Sequence, residues 1–174
     1  MGEALGRGRF EVKRTRTALL AAALAALLGS GCGLVNHDVT VNQDFQTGGA
    51  PSVTGQVNAS ALTQPLSASA GDLTKLSSVT LQSVTLASND TGDLSYVGPV
   101  TLIISASGFP DATLATFAGR PAAGTNSVNF TVDSSKDLRA YLAAGAVLKA
   151  VVTYAVQPVT ARGLRLTLVV RGSL

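Results

Sequence analysis

The sequence predicts an all-β protein: an antiparallel two-sheet sandwich of immunoglobulin-like or jelly-roll topology, with about eight strands and one short helix near residues 134–144. Three observations carry this expectation. Short runs of alternating apolar and polar residues recur along the chain after His37. Clusters of Gly, Pro, Asn and Asp separate these runs at short intervals. The polar positions within them are filled mainly by Ser and Thr, as on the wet face of a half-buried sheet.

The first run, DVTVNQDF, places Val39 and Val41 on one face, and QTGGAP after it is a turn by composition. PSVTGQVNAS is a second strand. LTQPLSASAGDLTK, with a Pro and many small residues, reads as a loop with one helical turn near Asp72–Leu76. In SSVTLQSVTLAS the tetrapeptide SVTL occurs twice, at a spacing of five residues. That spacing throws Val84 and Leu86 onto the face opposite Val79 and Leu81, unless a β-bulge near Gln82 or Ser83 restores one apolar face. The alternative is burial of both faces.

NDTGD (89–93) is a turn, and PVTLIISASG is a strand with Val100, Leu102 and Ile104 on one side. FPDA turns the chain into TLATFAG. NSVNFTVD has the cleanest alternation, with Val128, Phe130 and Val132 inward. SSKDLRAYLAAG is the one segment with helical signals. Ser134 and Asp137 form a capping box, Leu138, Tyr141 and Leu142 an apolar stripe, and Gly145 a C-terminal stop. AVLKAVVTYAVQP puts Leu148, Val152, Tyr154 and Val156 on one face. In RGLRLTLVVRGSL, Leu164, Leu166, Leu168 and Val170 alternate with Arg165, Thr167, Val169 and Arg171.

Charge is unevenly placed. The chain of 174 residues carries a net +3, and all of it lies before Cys32: Arg7, Arg9, Lys13, Arg14 and Arg16 against Glu3 and Glu11. From Cys32 onward eight basic residues balance eight aspartates. The folded part therefore has no net positive charge to attract a polyanion, and no nucleic-acid partner is expected.

Residues 1–16 are basic and polar, residues 17–28 are an apolar run of twelve, and Gly29-Ser30-Gly31 precede Cys32, the only cysteine. Basic, apolar and small-residue segments in that order make a secretory signal, and the run is shorter than the roughly 20 residues a spanning helix needs. LLGSGC resembles the lipobox of bacterial lipoproteins. The resemblance covers about the first 33 positions, with Gly29 where the family often has Leu. It implies that Cys32 receives a diacylglyceryl group, that cleavage precedes it, and that the new amino terminus is acylated. Residues 1–31 are then the signal peptide, 32–37 a lipidated tether and 38–174 the sandwich. The membrane becomes a partner through the lipid on Cys32. Gly33 and Leu34 lack the Asp that retains some members of that family in the inner membrane, so the resemblance favours the outer membrane of the cell envelope.

Little else in the chain points to chemistry. His37 is the only His, and no Glu follows Cys32. A Ser-His-Asp hydrolase site would have to use His37 within the tether, and no nucleophile elbow or phosphate loop is present. No cofactor and no enzymatic activity are expected. Asn89, Asp90 and Asp93 are weak Ca²⁺ candidates, read more simply as a solvated turn. Arg162, Arg165 and Arg171 suggest an exposed face or charges guarding an edge strand. Aromatics are too few and scattered for a sugar-binding platform, and Tyr96 near a turn, beside Phe109, is the one candidate for an exposed contact. The function expected is a non-catalytic envelope lipoprotein with a structural or protein-contact domain. The alternative is an anchored module binding Ca²⁺ or a glycan.

Overall fold

The computed structural model describes residues 36–47, 52–90, 92–156, 158 and 160–174. Residues 1–35, which hold the expected signal segment, Cys32 and the first residues of the expected tether, lie outside the described residues.

Among the described residues nine strands and two helices follow one another: β1 (Asn36–Gln46), β2 (Ser52–Asn58), α1 (Ala59–Ala70), a 3₁₀ turn (Leu73–Lys75), β3 (Ser78–Ser88), β4 (Val97–Ser105), β5 (Ala112–Phe117), β6 (Ser127–Asn129), β7 (Thr131–Val132), α2 (Arg139–Ala143), β8 (Val147–Tyr154) and β9 (Gly163–Ser173). They form a four-stranded sheet, β1-β9-β3-β6, and a five-stranded sheet, β2-β8-β4-β5-β7. Every pairing is antiparallel. β1 pairs β9, β2 pairs β8, β3 pairs β6 and β4 pairs β5, so the first half of the chain meets the second in reverse order. Successive pairs alternate between the sheets. That wrapping is the jelly-roll form of the two topologies the sequence allowed.

Inward residues of both sheets make one core. Leu81, Leu86, Leu102, Ile104, Leu148, Leu164, Leu166 and Leu168 are all fully buried. The doubled SVTL folds as a bulge: the β3–β9 register slips between Leu81 and Ser83, and Val79, Leu81, Val84 and Leu86 all face inward. The NSVNFTVD run is divided between the sheets. β6 pairs with β3, β7 pairs with β5, and Phe130 between them donates its N–H to Val84 O at 3.0 Å. Val128 and Phe130 are buried and Val132 half-buried. Gly55 is needed where it stands, since a Cβ there would lie 2.7 Å from the Phe45 ring.

The segment read as a loop forms the longest helix among the described residues. α1 has Pro65 in its interior and no side-chain cap at Asn58, both unfavourable locally. Leu62 and Leu66, one turn apart, are fully buried, and Gly71 ends the helix at φ 82°. Burial of that pair outweighs the weak propensity of the segment. The helix near 134–144 is present but shorter. Residues 134–138 precede it as a turn in which Asp133 accepts from Ser135, so Ser134 is no cap. Asp137 Oδ1 accepts from both Arg139 N (3.1 Å) and Val79 N (3.0 Å), tying α2 to the start of β3.

Two other expectations change. β1 begins at Asn36, with His37 opposite Gly172, so His37 is part of a sheet and half-buried rather than part of a tether. β9 extends to Ser173 and supplies the pairing partners that draw these residues into register. β8 stops at Tyr154, leaving Val156 exposed beyond it.

Arg165 and Arg171 lie on a central strand, so they guard no edge. They face solvent and meet β1 directly opposite. Arg165 holds Asp44 through two bonds of 2.7 and 2.9 Å, and Arg171 holds Asp38 through bonds of 2.7 and 2.8 Å. Thr167 donates to Asn42 between them at 2.7 Å. Such opposed pairs fix the register of the two strands. Arg162 precedes β9.

Candidate functional site

The chain direction sorts the connections into two ends. Gln46, Ser88, Tyr154 and Gly163 finish or begin strands at one, the loop end. Asn36, Asn58, Ser78, Ser105, Val147 and Ser173 do so at the other, the helical end.

The Ca²⁺ candidates all lie at the loop end, where each is engaged within the protein. Asn89 donates its side-chain amide to Leu164 O (3.4 Å), and its N–H to Gly163 O. Asp90 accepts from the Ser88 hydroxyl and stands 3.6 Å from Arg162 Nη1, and these contacts lower its pKa. Asp93 takes the Ser95 hydroxyl and N–H on one oxygen and Gly124 N–H on the other. The Ser95 hydroxyl, then Gly124 N–H and Ser95 N–H, hold its carboxyl down at about 2. These oxygens brace two turns. Among the described residues no three His, Cys, Asp or Glu side chains gather as a metal would require.

Asp93, Ser95, Tyr96, Val156, Thr160 and Arg162 line an open cavity of about 450 Å³ at this end. The backbone of Arg162 is fixed by buried Thr47: its N–H donates to Thr47 Oγ1 at 2.7 Å, and its carbonyl accepts from Thr47 N at 2.8 Å. The Tyr96 hydroxyl is buried and has no hydrogen-bond partner among the described residues. Burial, with the Asp90 charge adding to it, pushes its pKa up to about 12. The ring packs against Tyr154 at 6.2 Å.

At the helical end an exposed aromatic and its half-buried partner accompany an ion pair. Phe109, in the β4–β5 hairpin, is 40% exposed and leans on Tyr141 of α2 at 5.0 Å. The Tyr141 hydroxyl donates to Pro110 O at 2.9 Å. Leu73, Thr74, Asp137, Arg139, Ala140 and Ala143 line a second open cavity of about 440 Å³. Arg139 reaches Asp137 at 2.6 Å and donates to Leu76 O at 2.8 Å. Burial raises the Asp137 pKa, but bonds from Arg139 and Val79 N–H outweigh it, and the net shift is downward.

Tyr96 and Phe109, the two turn aromatics, are therefore at opposite ends. His37 shares the inward side of β1 with Val39 and Val41 at the helical end. The sequence offered Tyr96, beside Phe109, as an exposed contact; the fold leaves Phe109 exposed and buries the Tyr96 hydroxyl. The signal available for the helical end was Phe109 itself, a large apolar residue inside a turn motif.

No family model matches the chain, and no curated protein matches it. Among solved structures, one titled Desmodium yellow mottle tymovirus aligns with 82% of this chain and 89% of its own, at 11% identity and a TM-score of 0.34. A likeness at that level carries nothing over to this chain.

Proposed function

We propose that this chain is a lipid-anchored protein of a bacterial envelope, its jelly-roll domain serving structure or protein contact without catalysis. The carrying observation is the position of LLGSGC: Cys32 stands four residues before Asn36, where the first strand begins. The leader-like segment, the cysteine and the start of the domain thus follow one another with almost nothing between. Two or three acyl chains, at about 0.8 kcal/mol per buried methylene, hold a domain of this size firmly on a bilayer. Gly33 and Leu34 after the cysteine favour the outer membrane by the same resemblance.

The non-catalytic reading is supported by how the polar groups are used. Asp38, Asp44, Asp90, Asp93 and Asp137 each face an arginine or bonded N–H groups, and all are held in the ionised form. An acid–base couple built from two carboxyls needs one of them displaced upward toward neutrality. The test is Cys32→Ser in a bacterial host. It is expected to move the protein out of the membrane fraction, or to leave it unprocessed, with the strand-rich circular dichroism of the domain unchanged. Retention of the processed variant in the membrane would overturn the proposal.

A further inference from the structure

We infer that the helical end of the sandwich is a lipid-contacting surface, resting on the headgroup layer with Phe109 and Leu174 entering it. This rests on the anchor proposed above and adds which part of the domain the membrane meets.

The first support is reach. Asn36 follows Cys32 by four residues, and four extended residues span at most about 14 Å. β1 has 11 residues, so its far end lies roughly 33 Å away along the strand. A leash that short fixes the helical end near the lipid and allows the loop end to stand clear.

The second support is the placement of exposed apolar side chains. Among the described residues the exposed large hydrophobics are Phe109 (40%), Leu174 (39%) and Val156 (54%). Phe109 follows β4, whose last residue Ser105 is opposite Val147, itself opposite Asn58. Leu174 follows Ser173, opposite Asn36. Both are at the anchored end, one on each sheet, and Val156 is at the other. The Phe109–Tyr141 pair joins an apolar body to a hydroxyl held on Pro110 O, the kind of group that settles at a membrane–water interface. Resting on the outer face of β1 and β9 would instead desolvate the Asp38–Arg171 and Asp44–Arg165 pairs.

Charge decides the type of lipid contact. At this end Arg139 is matched by Asp137 and Lys136 by Asp133. Thr74 N–H first of all lowers the Asp72 pKa, and Lys75 stands close enough to lower it further. The basic residues named here each have an acidic neighbour and form no patch to seek anionic lipid. The contact is apolar insertion beneath headgroups of any charge.

The chain has no Trp, so single Trp reporters are clean. Full-length Phe109→Trp, Leu174→Trp and Val156→Trp are processed in a bacterial host, extracted and reconstituted into phosphatidylcholine vesicles with brominated acyl chains. Emission from positions 109 and 174 is expected to shift to the blue and lose most of its intensity, with position 156 unaffected. The pattern is expected to persist when phosphatidylglycerol replaces part of the lipid. Three results would overturn the contact while leaving the anchor, provided the Cys32 peptide carries acyl chains: no quenching at 109 and 174, equal quenching at all three positions, or quenching that requires phosphatidylglycerol. An unacylated Cys32 in protein that does not float with vesicles would overturn the anchor and the contact together.

Discussion

The two ends of this sandwich are closed by opposite means. At the helical end Leu62 and Leu66 of α1, Leu76, Leu138 and Leu142 are buried over the sheets. At the loop end Asp90, Asp93 and Arg162 brace the turns through charge and hydrogen bonds, around an open cavity. An apolar plug stabilises by removing surface from water and is indifferent to pH. Polar braces in contact with solvent add less and depend on ionisation. The same fold thus has one end closed mainly by apolar burial, with Asp137 as a polar tie, and one closed mainly by carboxylate braces.

The largest effect is expected where the plug is cut. Leu66→Ala removes a fully buried side chain that crowds Gly172, and is expected to cost about 2–5 kcal/mol in denaturant unfolding. Val156→Ser, at the exposed loop end, is expected to change stability by less than about 0.5 kcal/mol. Comparable losses at the two positions would break the contrast.

Acid separates the ends next. The bonds named above lower Asp93 to about 2, and Arg165 first of all lowers Asp44 to about 2, both from 3.8. A carboxyl depressed in the fold contributes stability that is present above its unfolded pKa and lost as pH falls through the folded one. Stability is therefore expected to decline from a pH of about 4 down to about 2. Asp93→Asn should flatten part of that limb, and Leu66→Ala should lower the whole curve without changing its shape. Thermal unfolding followed across that range checks both.

The smallest effect concerns Tyr96. Its pKa, raised from 10.0 to about 12, means that the fold favours the neutral phenol. That contribution is complete below a pH of about 10 and disappears as pH rises through about 12. Tyr96→Phe is expected to leave stability at neutral pH unchanged or slightly higher, since the buried hydroxyl has no partner among the described residues. Alkaline unfolding should shift to higher pH. An unchanged alkaline midpoint would show that burial of the Tyr96 phenol does not set the alkaline limit of the fold.

What could be read from the sequence divides along the same line. Strands were legible because alternation reports burial residue by residue. The doubled SVTL left two alternatives, a bulge or burial of both faces, and the slipped register that sets Val79, Leu81, Val84 and Leu86 on one face is the first of them. α1 was not legible. Its helix depends on Leu62 and Leu66 finding a place over distant strands, and Pro65 argued locally against it. The jelly-roll pairing is likewise non-local: nothing near Asp38 or Asp44 announces Arg171 and Arg165, which lie more than a hundred positions away. For the same reason Arg165 and Arg171 could be assigned to an exposed face but not to a central strand. Phe109 was marked in the sequence as an exposed aromatic beside Tyr96, but its place at the end of the sandwich opposite Tyr96 belongs to the fold.

The most direct measurement is the mass of the amino-terminal peptide of the protein extracted from native bacterial membranes. The expected peptide begins at Cys32 and carries the added mass of a diacylglyceryl group on sulfur, with a further acyl chain on the amino group. A peptide that runs unbroken through Gly31 and Cys32, with an unmodified thiol, would contradict the lipid anchor.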